Sequence, residues 1–235
     1  MSTIAHNLQA VDASIRSAVM AAGRVRADVQ LLAVSKTFGA DAVLEAIAAG
    51  QTAFGENYLQ EALDKIAAVS SAVPGRDIAW HFIGPIQSNK TRPIAASFDW
   101  VHTVERLKIA QRLSEQRPAE LAPLNICIQV NISGEDTKSG VTAAELPALA
   151  RLVAQLPRLR LRGLMAIPEP QPDAARQRAA FAQLRMLFDA LRADGIAIDT
   201  LSMGMSADMD AAIAEGATIV RVGTAIFGAR TYQPQ

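Results

Sequence analysis

Between Ser202 and Gly228 the chain reads SMGMSADMDAAIAEGATIVRVGTAIFG. It contains two small-residue turns, Ser202–Ser206 and Gly223–Thr224, each after a short apolar run and each before helical or apolar sequence. Backbone N–H groups at such strand-to-helix turns converge on anions, because a helix N-terminus carries partial positive charge and unpaired donors. Two such turns so close in sequence imply one phosphate group held between neighbouring loops. Arg221 stands just ahead of the second turn, where it would meet whatever the phosphate is attached to. Far upstream, Lys36 follows the run LLAVS and reaches the same place if the sheet closes. A lysine facing a phosphate cradle points to pyridoxal 5′-phosphate (PLP) held as a Schiff base.

The chemistry asks something of each residue. An amine attacks an aldehyde only when deprotonated, and a free lysine has a pKa of ~10.4. Partial burial at a strand end, or a neighbouring arginine, lowers that value. Taken alone, Lys36 could equally be a surface lysine closing a strand; the downstream turns favour the aldehyde. A guanidinium keeps its proton at neutral pH, so Arg221 beside a pyridine nitrogen leaves that nitrogen unprotonated. Arg221 could otherwise be a salt bridge inside the barrel. His81, in WHFIG, either contacts the ring or is a satisfied core histidine. Lys65 and Lys108 fall on helical segments and read as solvated faces, and Met203 and Met205 read as packing. Lys138, in the loop ISGEDTKSG, could accept a second aldehyde, although an ion pair with Glu135 or Asp136 is the simpler reading. No GxxxxGK[ST] loop, GxSxG elbow, HExxH or paired His/Cys spacing is present, so no metal site is expected.

These residues need a frame that brings Lys36 to the far end of the chain. Apolar, β-rich runs recur at Gln30–Ser35, Gln51–Phe54, Ala79–Ile83, Trp100–Val104, Asn125–Ile132, Arg160–Ala166, Ala197–Ser202 and Thr218–Val222. Helix-length segments alternate with them: Asp41–Ala49, Asn57–Ala68, Lys90–Ser97, Glu105–Glu115, Thr142–Gln155, Ala174–Ala193 and Ala207–Glu215. Thr142 and Glu145 have the spacing of a capping box. Eight strands alternating with helices over 235 residues predict an α/β fold, a single (β/α)₈ TIM barrel filling 1–235. A doubly wound open sheet is the rival, since periodicity cannot show closure. Ile4, Leu8, Val11, Ile15 and Val19 form one apolar stripe and predict an extra N-terminal helix on the barrel floor or outer wall. Function in such barrels collects in the loops after the strands.

Composition narrows the partners. Charges balance at 23 basic and 23 acidic residues and aromatics make up 5%, so neither nucleic acid nor an anionic membrane is expected. Cys127 is the one cysteine, which fits a reducing cytoplasm without disulfides. No apolar stretch approaches the ~20 residues of a membrane span.

Five segments also carry a resemblance: AVSKTF (33–38), FGENYLQEALDK (54–65), WHFIGPIQSNK (80–90), VNISGEDTKSG (130–140) and the stretch from Ser202 to Gly228. Together they resemble the pyridoxal phosphate homeostasis proteins, which are similar to the barrel domain of alanine racemases and ornithine decarboxylases. The resemblance implies Lys36 as the Schiff-base lysine and Ser206, Gly223 and Thr224 as phosphate ligands. It implies Arg221 opposite the pyridine nitrogen, with Asn57 and His81 near the ring. Racemases of this fold add a β domain whose tyrosine is a second base. No such C-terminal β domain is expected here, where the tyrosines are Tyr58 and Tyr232. The expectation is therefore a monomeric, non-catalytic carrier or buffer supplying PLP to apo-enzymes. The alternative is a single-domain racemase or decarboxylase acting on amino acids.

Overall fold

A computed structural model describes residues 2–133 and 139–229. Eight parallel strands close into a barrel: β1 (Gln30–Val34), β2 (Ala53–Glu56), β3 (Ala79–Phe82), β4 (Trp100–Val104), β5 (Leu124–Gln129), β6 (Leu159–Met165), β7 (Thr200–Ser202) and β8 (Ile219–Val222). The rival open sheet is excluded by the last seam, where Gln30, Leu31, Leu32 and Ala33 of β1 pair with Ile219, Val220, Arg221 and Val222 of β8. That seam is also what brings the loop after β1 beside the loop after β8.

The helices are α1 (Thr3–Ala21), α2 (Ala40–Ala48), α3 (Leu59–Ala72), α4 (Thr91–Ser97), α5 (Leu107–Gln116), α6 (Leu146–Val153), α7 (Ala174–Ala193), α8 (Met209–Ala214) and α9 (Thr224–Phe227). After β8, α9 supplies only a single turn, too short to cover the seam between β8 and β1. The N-terminal helix takes that place. It packs against α8, α9 and α2, burying Leu8, Val11, Ile15 and Val19 of the expected stripe. Polar ties lock it there: Ile4 N–H donates to Glu45 Oε1 (3.2 Å), Asn7 Nδ2 to the Ile226 carbonyl (2.9 Å) and Arg24 Nη1 to the Ile213 carbonyl (2.8 Å). The stripe thus covers the outer wall rather than the floor.

Several element ends differ from the sequence reading: β5 stops at Gln129 rather than Ile132, and β7 begins at Thr200 rather than Ala197. Strand β2 runs to Glu56 instead of stopping at Phe54. Gly55 interrupts the apolar pattern because it faces the crowded lumen: a Cβ there would lie 3.1 Å from Ile83 and 3.2 Å from Leu32. The Thr142–Glu145 capping box forms, with Glu145 N–H donating to Thr142 Oγ1 (3.3 Å) and Thr142 N–H to Glu145 Oε2 (3.1 Å). The α-helix itself begins one turn later, at Leu146.

The apolar core lies between strands and helices, where Phe54, Ile94, Leu113, Ile126 and Phe181 are fully buried. Inside the barrel the packing differs. Leu32, Ala53 and Ile219 form a small separate apolar cluster with Ala79, Ile83 and Trp100. Polar side chains fill much of the remaining lumen, and among the described residues no helix is long and apolar enough to cross a membrane.

Candidate functional site

One cavity of about 310 Å³ opens at the C-terminal ends of the strands, within the ~300–1,000 Å³ usual for small-ligand sites. Its wall includes Lys36, Asn57, Ser206, Arg221, Gly223 and Thr224, together with Val34, Phe38, Ile83, Met165, Ile167 and Met205. Six of the seven residues singled out from the sequence therefore meet in one place. Ser206 and Thr224 are exposed at the rim, whereas Arg221 is buried at the base.

The local geometry explains the small residues. Gly204 has φ +92°, and a Cβ there would stand 2.5 Å from the Ala212 Cβ, so the turn can pass close over α8 only as glycine. The turn then closes with Met205 N–H donating to Asp208 Oδ1 (2.6 Å) and Asp208 N–H to the Met205 carbonyl (3.1 Å), which leaves Ser206 and Ala207 lining the cavity. At the neighbouring loop, a Cβ on Gly223 would lie 3.1 Å from the Val34 carbonyl oxygen of β1. Glycine thus lets the strand end and the start of α9 approach. Phe38, from the loop carrying Lys36, packs on Phe227 of α9 with ring centroids 5.2 Å apart.

Arg221 is aimed by three acceptors. Its Nη1 donates to the Ser202 carbonyl (2.8 Å) and to Ser202 Oγ (2.9 Å), and its Nη2 to the Ala166 carbonyl (3.0 Å). Burial draws the guanidinium down to about 10, which leaves it charged at neutral pH. Behind it a chain crosses the lumen: Ser202 Oγ lies 2.8 Å from His102 Nδ1, and His102 Nε2 lies 2.9 Å from His81 Nδ1. Arginine can only donate, so Ser202 Oγ accepts from Arg221, and each neutral histidine brings one ring N–H and one acceptor nitrogen to the two remaining links. Both rings are neutral, His81 pushed down to about 3 by burial. His102 is held well below the usual histidine value by burial first, then by His81 and Arg221.

His81 is thus not part of the cavity wall. It is fully buried in the lumen, stacked on Trp100 at 5.3 Å between centroids, with Nε2 lacking a partner among the described residues. Its pairing opposite Gly55 of β2 places it one layer below the cavity. The segment WHFIG acts on the site through Gly84 instead. A Cβ on Gly84 would lie 2.2 Å from the Asn57 carbonyl oxygen, so only glycine lets the Asn57 loop settle there. Sequence reasoning missed Gly84, His102 and Lys65. A histidine alternating with Trp100 and Val104 in β4 was the one available signal for His102. Lys65 is no solvated residue: its side chain is 3% exposed and pairs with Glu56 at 2.5 Å and Glu61 at 3.0 Å. Lys138 lies outside the described residues.

The cavity suits a flat, phosphorylated, aldehyde-bearing ring on structural grounds. Asn57 Oδ1 is buried without a hydrogen-bond partner among the described residues, and such orphaned groups are costly unless a ligand or water completes them. Apolar side chains supply walls for a ring, two small-residue turns supply backbone donors, and Lys36 and Arg221 stand on the same cavity.

The chain is similar to known proteins. The family described as alanine racemase, N-terminal domain, matches residues 2–231. A pyridoxal phosphate homeostasis protein of Pseudomonas aeruginosa is 65% identical over 232 residues, 99% of this chain and 98% of its own. Among solved structures, PipY of Synechococcus elongatus with PLP bound is 40% identical, with a TM-score of 0.82 over 96% of this chain and all of its own. Alanine racemase of Corynebacterium glutamicum shares the fold at 21% identity and a TM-score of 0.65, and this chain covers 62% of it. By the extent of these matches the chain belongs to the pyridoxal phosphate homeostasis protein family, built on the alanine racemase N-terminal barrel.

Proposed function

We propose that the protein binds PLP in the cavity above Arg221, holds it covalently through Lys36 Nζ, and acts as a non-catalytic carrier supplying the cofactor to apo-enzymes in the cytoplasm. Ser206, Gly223 and Thr224 take the phosphate, Arg221 faces the ring nitrogen, and Asn57 meets a polar ring substituent. When bound, PLP supplies an electrophilic aldehyde and an electron sink. A charged Arg221, locked as a donor by Ser202 and Ala166, keeps the ring nitrogen unprotonated and weakens that sink.

One observation carries the carrier reading. Among the described residues lining the cavity, Lys36 and Arg221 are the ones with ionisable side chains, and Arg221 cannot act as a base. Racemisation needs a proton acceptor on one face of the substrate and a donor on the other, each worth roughly 10²–10⁴-fold. Lys36 alone serves one face. Tyr58 is 53% exposed and lies outside the lining.

The test starts from the purified protein loaded with PLP. Borohydride should fix one phosphopyridoxyl group on Lys36, and Lys36→Ala should abolish that label while retaining the fold. The loaded protein should show no appreciable α-proton exchange with single L- or D-amino acids in deuterated water. It should restore activity to a PLP-dependent apo-enzyme. A label chiefly on Lys90 or Lys138 would overturn the anchor. Fast exchange of one amino acid, lost in Lys36→Ala, would replace the carrier with the racemase or decarboxylase.

A further inference from the structure

Lys36 sits between two residues tied to a single buried ion cluster. Lys65, from α3, donates through Nζ to the Ser35 carbonyl (2.9 Å), to Glu56 Oε1 (2.5 Å) and to Glu61 Oε1 (3.0 Å). Ser35 Oγ donates to the same Glu56 oxygen (2.6 Å). On the other side of Lys36, Thr37 N–H donates to the same Glu61 oxygen (2.7 Å). Thr37 has φ +70°, a left-handed conformation that a β-branched residue adopts only at a cost. Phe38 N–H donating to the Ser35 carbonyl (3.1 Å) closes this turn, and the cluster adds to it by pinning the backbone on both flanks of Lys36 from outside the barrel, while the Lys36 side chain lines the cavity.

We propose that Lys65 is a positioning residue for Lys36: its ammonium bridges Glu56 and Glu61 so that Ser35 and Thr37 present the Lys36 amine to the cavity in one fixed direction. This rests on Lys36 being the covalent anchor. A buried ammonium takes Glu56 and Glu61 out of mutual repulsion. It adds a second bond to the Ser35 carbonyl, which also accepts from Phe38 N–H (3.1 Å). Without it, the Thr37 turn relaxes and Lys36 samples several directions. Attack on an aldehyde requires a near-attack geometry, and a displacement of about 1 Å costs up to about a hundredfold. Binding of the ring and phosphate uses other residues and does not depend on that direction.

The test separates these two terms with a pair of ligands. PLP can be attacked by the amine; pyridoxine 5′-phosphate carries the same ring and phosphate but an alcohol in place of the aldehyde. Glu61 is one-third exposed, so Glu61→Ala folds and releases Thr37. Lys65→Met removes the ammonium, and Lys65→Met/Glu56→Gln does so without stranding a buried carboxylate. Each variant should bind pyridoxine 5′-phosphate within about twofold of wild type while PLP attachment, followed by absorbance and borohydride labelling, slows about tenfold to a hundredfold. In the ligand-free protein the Thr37 amide should exchange with deuterium faster in all three variants. Equal losses for both ligands, or unchanged PLP attachment, would overturn the positioning role while leaving the anchor intact. A wild type that carries no label on Lys36 would overturn the anchor and the positioning role together.

Discussion

Acid should loosen this barrel through its buried histidines, and the size of the effect follows from the chain behind Arg221. His81 and His102 are fully buried and neutral, with His81 at about 3 and His102 also well below the ordinary value. In the unfolded chain each titrates near ~6.5. The folded form binds fewer protons than the unfolded form between these limits, so stability is fully present above about pH 6.5 and falls as pH drops toward 3. His81 costs about 1.4 kcal/mol per pH unit in that window, so at pH 5 it removes about 2 kcal/mol, and His102 acts in the same direction. For a chain of this length the His81 part corresponds to a Tm about 4–8 °C lower. Glu56 and Asp99, both raised mainly by burial, act with the opposite sign, so the wild-type curve alone mixes the terms. His81→Phe isolates one of them. The substitution keeps the stack on Trp100 and leaves His102 Nε2 without its His81 partner, a cost of about 1–3 kcal/mol that pH does not change. Urea denaturation of the ligand-free protein at pH 7, 6 and 5 should show the wild-type advantage over His81→Phe shrinking by about 2 kcal/mol across the range. Parallel curves for the two proteins would refute the assignment of His81 as a neutral, buried ring.

Two further expectations concern the cavity. Ser206→Ala and Thr224→Val each remove a rim hydroxyl, and hydrogen bonds to charged groups are worth about 1.5–3 kcal/mol. Each change should weaken PLP by about tenfold to a hundredfold and leave unphosphorylated pyridoxal nearly unchanged in a fluorescence titration; equal losses would show that neither side chain meets the phosphate. Gly84→Ala forces a methyl to within 2.2 Å of the Asn57 carbonyl oxygen and should cost about 1–3 kcal/mol in stability along with PLP affinity. Gly39→Ala, where a Cβ meets nothing within 4 Å, serves as the control, and a Gly84 variant that matched it would remove Gly84 from the site.

The fold was legible because its signals are local and periodic. Strand β4 and helix α7 fall where the apolar runs place them. The turns at Ser206 and Gly223 were visible as small residues after buried strands. Closure of the sheet was not visible, since the pairing of Gln30 with Ile219 joins residues at opposite ends of the chain. Two kinds of residue misled the reading for physical reasons. Lys65 has the helical spacing of a solvated lysine, and only the burial of Glu56 at the end of β2 makes it an internal cation. His81 stands in a distinctive segment, yet its alternation in β3 points it into the lumen, where His102 and Ser202 take it up. Which polar residue of a barrel strand reaches the cavity and which stays a layer below depends on register between strands, and one chain read alone does not contain it.

The cavity is therefore held from both surfaces of the sheet. Arg221 is fixed from within, through Ser202 and the two histidines. The Lys36 loop is fixed from without, through Lys65 and its two carboxylates. Neither network contains the residues of the rim: Ser206, Ala207 and Thr224 are all exposed. The proposed carrier role makes use of this division. The groups that set the chemistry of the bound ring have to be rigid, because a mobile cation or amine would let the cofactor adopt reactive arrangements. The groups that grip the phosphate have to be reachable from solvent, because handover requires their bonds to be exchanged one at a time with water or with an acceptor protein. An enzyme that closes over its substrate buries those same contacts to exclude water. Here the turns proposed to hold the phosphate lie on the open side of the barrel, with Met205 and Ile167 exposed beside them, and the rigid elements lie beneath.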